Sequence, residues 1–208
     1  MKRAYSVKDM MRKKYRTFPF EGKWEAAFGH PETTGVWLIW GNSGNGKSSF
    51  VMQLCKELAK HERVLYDSLE EGTGLTMMES LKRHGMDEIG CRLTLVNETA
   101  EELSARLRQK KSPNVVVIDS IQYLGVKFED VRQLKVLHPG KLFIYVSQAI
   151  SGNPAGSVAV KTTYEASLKI MVEGFIAYSK GRFFGPKGRY IVWEQGAERY
   201  YQRKIEDL

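Results

Sequence analysis

"GVWLIWGNSGNGKSSF", residues 35–50, runs from an apolar stretch into a loop with three glycines, a lysine and the start of a helix. Val36 to Trp40 read as a buried strand, and Phe50, Val51, Leu54 and Leu58 mark one face of a helix that continues to about Lys60. Between them, Gly41-Asn42-Ser43-Gly44-Asn45-Gly46-Lys47-Ser48 satisfies the spacing G-x4-G-K-[ST]. Glycines let such a loop take φ > 0 and turn successive N–H groups inward, a nest for phosphate oxygens at the positive end of the helix. Lys47 then reaches the β and γ phosphates, the Ser48 hydroxyl ligates Mg²⁺, and Ser49 completes the phosphate-binding set. The ligands this implies are ATP and Mg²⁺.

Outward from the loop, short β-rich runs alternate with longer helical ones, the signature of parallel βαβ units. "RVLYDS" is a second strand, "RLTLV" a third, "NVVVIDS" a central fourth and "KLFIYVSQ" a fifth. "TGLTMMESLKRHG", "ETAEELSARLRQKK" and "VRQLKVLH" read as the intervening helices, the first closed by Gly85. Beyond Gln148, "AISGNPAGSVAVKTT" has no period and reads as a mobile loop. "ASLKIMVEG", "FIAYSK" and "RYIVWEQ" then read as an antiparallel meander extending the sheet. The expected fold is α/β: a mostly parallel central sheet flanked by helices, with an antiparallel C-terminal extension. Residues 34–208 would form this core and residues 1–33 a separate basic arm.

The 208 residues carry a net charge of +8, and residues 1–25 hold eight basic against three acidic side chains, so most of the excess lies in the arm. "SVKDMMRKKY" predicts a short helix capped by Ser6 and Asp9. Tyr5, Tyr15, Phe18, Phe20 and Trp24 interleave with the arm's charges, suiting either single-stranded DNA or a neighbouring subunit; aromatic anchors in "FPFEGKW" favour the subunit. No apolar run is long enough to span a bilayer, and the start lacks the apolar stretch of a signal peptide, which predicts a cytoplasmic protein. Cys55 and Cys91 have no metal-binding spacing and read as buried thiols.

Hydrolysis needs a carboxylate to hold the Mg²⁺ shell and a base to orient water. Asp119, ending "NVVVIDS", suits the first role. Ser120 follows it, so the base must come from elsewhere, and Glu70-Glu71 at the end of the second strand opens toward the same rim. Either glutamate satisfies that argument.

In order, "GNSGNGKS", "YDSLEEG", "VVVIDSIQYL", "YVSQ" and "SKGRFFG" resemble the RecA-fold ATPases of the RadA and DnaB type. The resemblance implies Glu70 as general base and Gln148 as the polar sensor of the γ-phosphate. It also implies that Lys180 and Arg182, in a K-N-R-x-G-like motif with Gly181 for Asn, reach a neighbour's phosphates. It spans residues 34–195, and no F-x-x-A polymerisation motif is evident in the arm. A chain of this extent is similar to small RecA-core proteins of phages and mobile elements. The function this implies is an ATPase acting on single-stranded DNA in recombination, repair or replication, assembled as a ring or short filament. A KaiC-like switch working through a protein partner is the alternative, and a small-molecule phosphotransferase leaves "SKGRFFG" unexplained.

Overall fold

Strand β1 (Gly35–Gly41) is buried over nearly its whole length, and its side chains alternate between two apolar layers. Trp37 and Ile39 enter one layer; Val36, Leu38 and Trp40 enter the other. An apolar run of this kind needs cover on both faces, and the computed structural model, which describes residues 4–179 and 188–206, supplies it. β2 (Val64–Ser68), β3 (Leu93–Val96), β4 (Val115–Asp119) and β5 (Leu142–Ile150) form the parallel part of the sheet with β1. A two-residue strand, β6 (Asn153–Pro154), pairs with the end of β5. β7 (Leu168–Glu173) lies parallel to β1, and β8 (Ile176–Ser179) and β9 (Arg189–Ile191) continue antiparallel, giving the order β3-β2-β4-β5-β1-β7-β8-β9. The α/β architecture and its antiparallel extension are as the sequence predicts.

Helices α2 (Gly22–Phe28) and α3 (Lys47–Leu58) cover the first layer, with α4 (Leu75–Arg83) contributing Met77. α5 (Ala100–Leu107), α6 (Phe128–Leu137) and α7 (Gly156–Glu165) cover the second. Gly85 adopts φ 59° just beyond α4, the left-handed stop its position predicts. No described helix is long and apolar enough to cross a membrane.

Several expectations change. The segment after Gln148 is not a loop: β6 and α7 occupy it, with Ala159 and Thr162 buried and Thr162 donating its hydroxyl proton to the Val158 carbonyl. Its buried positions are small residues, so the helical period carries little hydrophobic contrast. The strand expected over "RYIVWEQ" ends at Ile191, and α8 (Glu194–Glu206) follows. Cys55 is buried as expected, but Cys91 is exposed, because it lies in the short turn before β3 rather than under a packed face. The aromatic anchors of the arm are engaged within the chain itself. Phe18, Phe20, Trp24 and Phe28 join the first layer, Trp24 stacking on Tyr190 at 4.2 Å, so they are not available to a neighbour. What remains exposed is α1 (Val7–Arg12), capped by Ser6 and Asp9 as expected and without a buried residue.

Candidate nucleotide site

The loops after β1, β2 and β4 emerge at one edge of the sheet, the carboxyl ends of parallel strands where α/β folds collect ligands. At the first, the chain passes from Gly41 to α3 through residues 42–46. Gly41 lies against β7: a Cβ there would sit 2.3 Å from the Val172 carbonyl oxygen. Gly46 caps α3 at φ 87°, and a Cβ on it would meet the Phe175 ring at 2.7 Å. Both positions demand glycine on the structure's own terms. The loop is also strapped from outside, because Asn45 accepts the Gly174 N–H with its side-chain oxygen (2.8 Å) and the Phe175 N–H with its backbone carbonyl (3.0 Å).

Beneath the loop lies a cavity of about 350 Å³. Asn42, Ser43, Gly44, Gly46, Lys47, Ser48 and Ser49 form its loop side. Ser68, Glu70, Glu71 and Asp119 close it from β2 and β4, and Met77 and Phe175 complete the wall. Cationic and hydroxyl groups thus face carboxylates across a space at the N-terminus of a twelve-residue helix. The amide end of that helix adds positive potential where phosphate would lie.

Asp119 is held by its surroundings. The Tyr66 hydroxyl donates to Asp119 Oδ2, and the Leu69 and Glu70 amides donate to the Asp119 carbonyl at 2.8 and 3.1 Å, locking the end of β2 to that of β4. Burial pushes the Asp119 carboxyl above the ordinary range; the Tyr66 bond and the Lys47 charge pull it down, and Glu70 and Glu71 raise it again. Its partner Tyr66 is pushed far up by burial and by that carboxylate, so it stays a neutral donor.

Among the described residues, no group of three or more His, Cys, Asp or Glu is placed to hold a metal by itself. One carboxylate and one hydroxyl, Asp119 and Ser48, are hard oxygen donors on the same cavity, which suits Mg²⁺ completed by phosphate and water oxygens.

Other predicted residues fall differently. Gln148 pairs with Gly41 across β5 and β1 but is exposed and does not line the cavity. Lys180 and Arg182 lie outside the described residues. Tyr66, Phe175 and Asn45's tie to residues 174–175 are structural partners that no motif spacing marks. Gln122 is another: its amide donates to Ser147 Oγ and to the Ala155 carbonyl, both at 2.8 Å, bridging the tips of β4 and β5 to the start of α7.

No protein-family model matches the chain. Over 87 residues it is 31% identical to the DNA repair protein RadA of Salmonella typhimurium, a match covering 42% of this chain and 18% of RadA. The flagellar accessory protein FlaH of Methanocaldococcus jannaschii superposes with a TM-score of 0.62 at 14% identity, covering 85% of this chain and 93% of FlaH. The ATPase domain of a DnaB-like helicase superposes with a TM-score of 0.54 at 15% identity, over 76% of this chain and 80% of that domain. The fold is that of the RecA-like P-loop ATPases. RadA adds a sequence relationship to the fold, so the RadA-type motifs and the RecA-like architecture point the same way.

Proposed function

We propose that this RecA-like chain binds and hydrolyses ATP with Mg²⁺ and acts on single-stranded DNA in recombination, repair or replication. The observation that carries the reading is the single cavity on which Lys47, Ser48, Asp119 and the Glu70-Glu71 pair converge. The sequence relationship to a DNA repair protein supports the choice of DNA.

In this reading the loop amides and the α3 N-terminus hold the triphosphate, and Lys47 neutralises charge on its outer phosphates. Ser48 and Asp119 hold Mg²⁺, which bridges phosphate oxygens and offsets the charge that builds on them during transfer. Tyr66 keeps Asp119 oriented. Glu70, its backbone tied to the Asp119 carbonyl, orients the attacking water and takes its proton. Lys180 and Arg182 come from a neighbouring subunit, so each site is complete only in a ring or short filament.

Glu70→Gln is expected to lower ATP turnover about 100-fold or more while preserving ATP affinity, because a general base contributes roughly 10²–10⁴-fold. Glu71→Gln is expected to stay near wild-type turnover. The reverse pattern in steady-state assays would reassign the base.

The RecA-like fold is shared with a flagellar accessory protein, so the fold alone does not choose DNA. A nucleotide-operated switch acting through a protein partner is the second reading. Slow turnover indifferent to any nucleic acid would favour it.

A further inference from the structure

The phosphate cavity opens past Gly44 and Phe175 into a second one of about 600 Å³, and those two residues line both. Its far wall is built from the residues that follow β9 and from one face of α8: Trp193, Arg199, Tyr200 and Arg203. Two glycines make room for the aromatic pair at its floor. Gly46 lies under Phe175, and Gly196 lies under Trp193, where a Cβ would fall 2.1 Å from the indole. Phe175 and Trp193 meet edge to face at 5.1 Å, which fixes the indole plane while leaving it 45% exposed. Trp24, Trp37 and Trp40 are by contrast at most 6% exposed.

The polar groups of this wall are mostly donors. Arg199 and Arg203 make no hydrogen bond or ion pair with the described residues, whereas Lys204 is held by Glu173 at 3.2 Å. The Tyr200 hydroxyl donates to the same Glu173 carboxylate. No carboxylate or amide side chain lines the cavity.

We propose that this cavity is the nucleobase subsite of the ATP site, that Trp193 is its stacking platform, and that it does not select adenine. This rests on the nucleotide reading above. A base attached to phosphates in the first cavity has this second cavity as its continuation, and an exposed indole offers a π-face that any base can use. Rejecting a wrong base requires groups left unpaired by it. Selecting adenine by its exocyclic amine requires an acceptor, and the side chains here instead offer guanidinium forks, which match the O6 and N7 acceptors of guanine. GTP therefore binds about as tightly as ATP.

The test measures binding of ATP, GTP and inorganic tripolyphosphate to the full chain with Mg²⁺, by calorimetry and by quenching of tryptophan emission. Expected are ATP and GTP affinities within about fivefold of each other and quenching that disappears in Trp193→Phe. Trp193→Ala should weaken both nucleotides about tenfold and leave tripolyphosphate unchanged, which also shows that the variant is folded. A preference for ATP of about 100-fold or more, equal losses for nucleotide and tripolyphosphate, or no loss at all would each overturn the proposal. A Trp193→Ala defect confined to single-stranded DNA binding would overturn it in favour of a DNA contact. Failure of the wild-type chain to bind even tripolyphosphate would overturn the underlying nucleotide reading as well.

Discussion

Asp67 has no exposed surface, and only one of its carboxylate oxygens has a partner: Oδ1 accepts the Glu98 amide at 3.0 Å, while Oδ2 is buried without one among the described residues. Burial pushes its carboxyl up to about 6; the Glu98 amide works against this and the Glu98 charge with it. A carboxyl that holds its proton more tightly when folded stabilises the fold most below its unfolded value near 4, and that contribution is lost as pH rises toward 6. Asp67→Asn removes this titration. From pH 4 to pH 7.5, urea denaturation should show the variant gaining about 2–3 kcal/mol relative to wild type; parallel stability curves would refute it. Asp67, like Tyr66, shows why parts of the site were hidden in the sequence. The phosphate loop, Asp119 and Glu70-Glu71 announce themselves by spacing and by their place at strand ends. A tyrosine within the apolar run of β2 reads as core, and only the pairing of β2 with β4 brings it to Asp119.

At the scale of elements, the segment before β1 makes the clearest prediction. Trp24 packs on Phe28, Phe50 and Tyr190, uniting α2, α3 and β9 in one aromatic cluster. Truncating a buried aromatic of this kind costs about 3–5 kcal/mol. In a chain of this size Trp24→Ala should therefore lower the melting temperature by roughly 6–20 °C. Because the contact is internal, that drop should not depend on protein concentration; one that fades as the protein is concentrated would point instead to a subunit contact. The strands of the parallel core were legible because each is a short apolar run ended by polar or small residues. α7 and α8 were not, for different reasons. α7 buries small residues against β1 and α6, held there by Arg132 and Lys135 on Glu165, so its apolar stripe is faint. α8 is strongly polar and follows a strand without a proline or glycine break before Gly196, so the strand pattern runs on past its true end.

For the whole molecule, the central question is how a site formed within one chain is used. Clustering of positive charge near the N-terminus, with α1 exposed, suits a polyanionic partner, and association of this kind weakens with salt. If Lys180 and Arg182 act on a neighbour's phosphates, Arg182→Ala should lower turnover while sparing ATP affinity. Mixing that variant with Lys47→Ala should then restore part of the lost activity, since mixed interfaces pair an intact loop with an intact finger; no recovery between assembled variants would show that each chain works alone. The most direct test of the account is steady-state ATP hydrolysis by the purified chain with Mg²⁺, with and without single-stranded DNA, beside Lys47→Ala. The account predicts turnover that rises severalfold with single-stranded DNA and vanishes in Lys47→Ala. Turnover that survives the loss of Lys47, or that no nucleic acid changes, would contradict it.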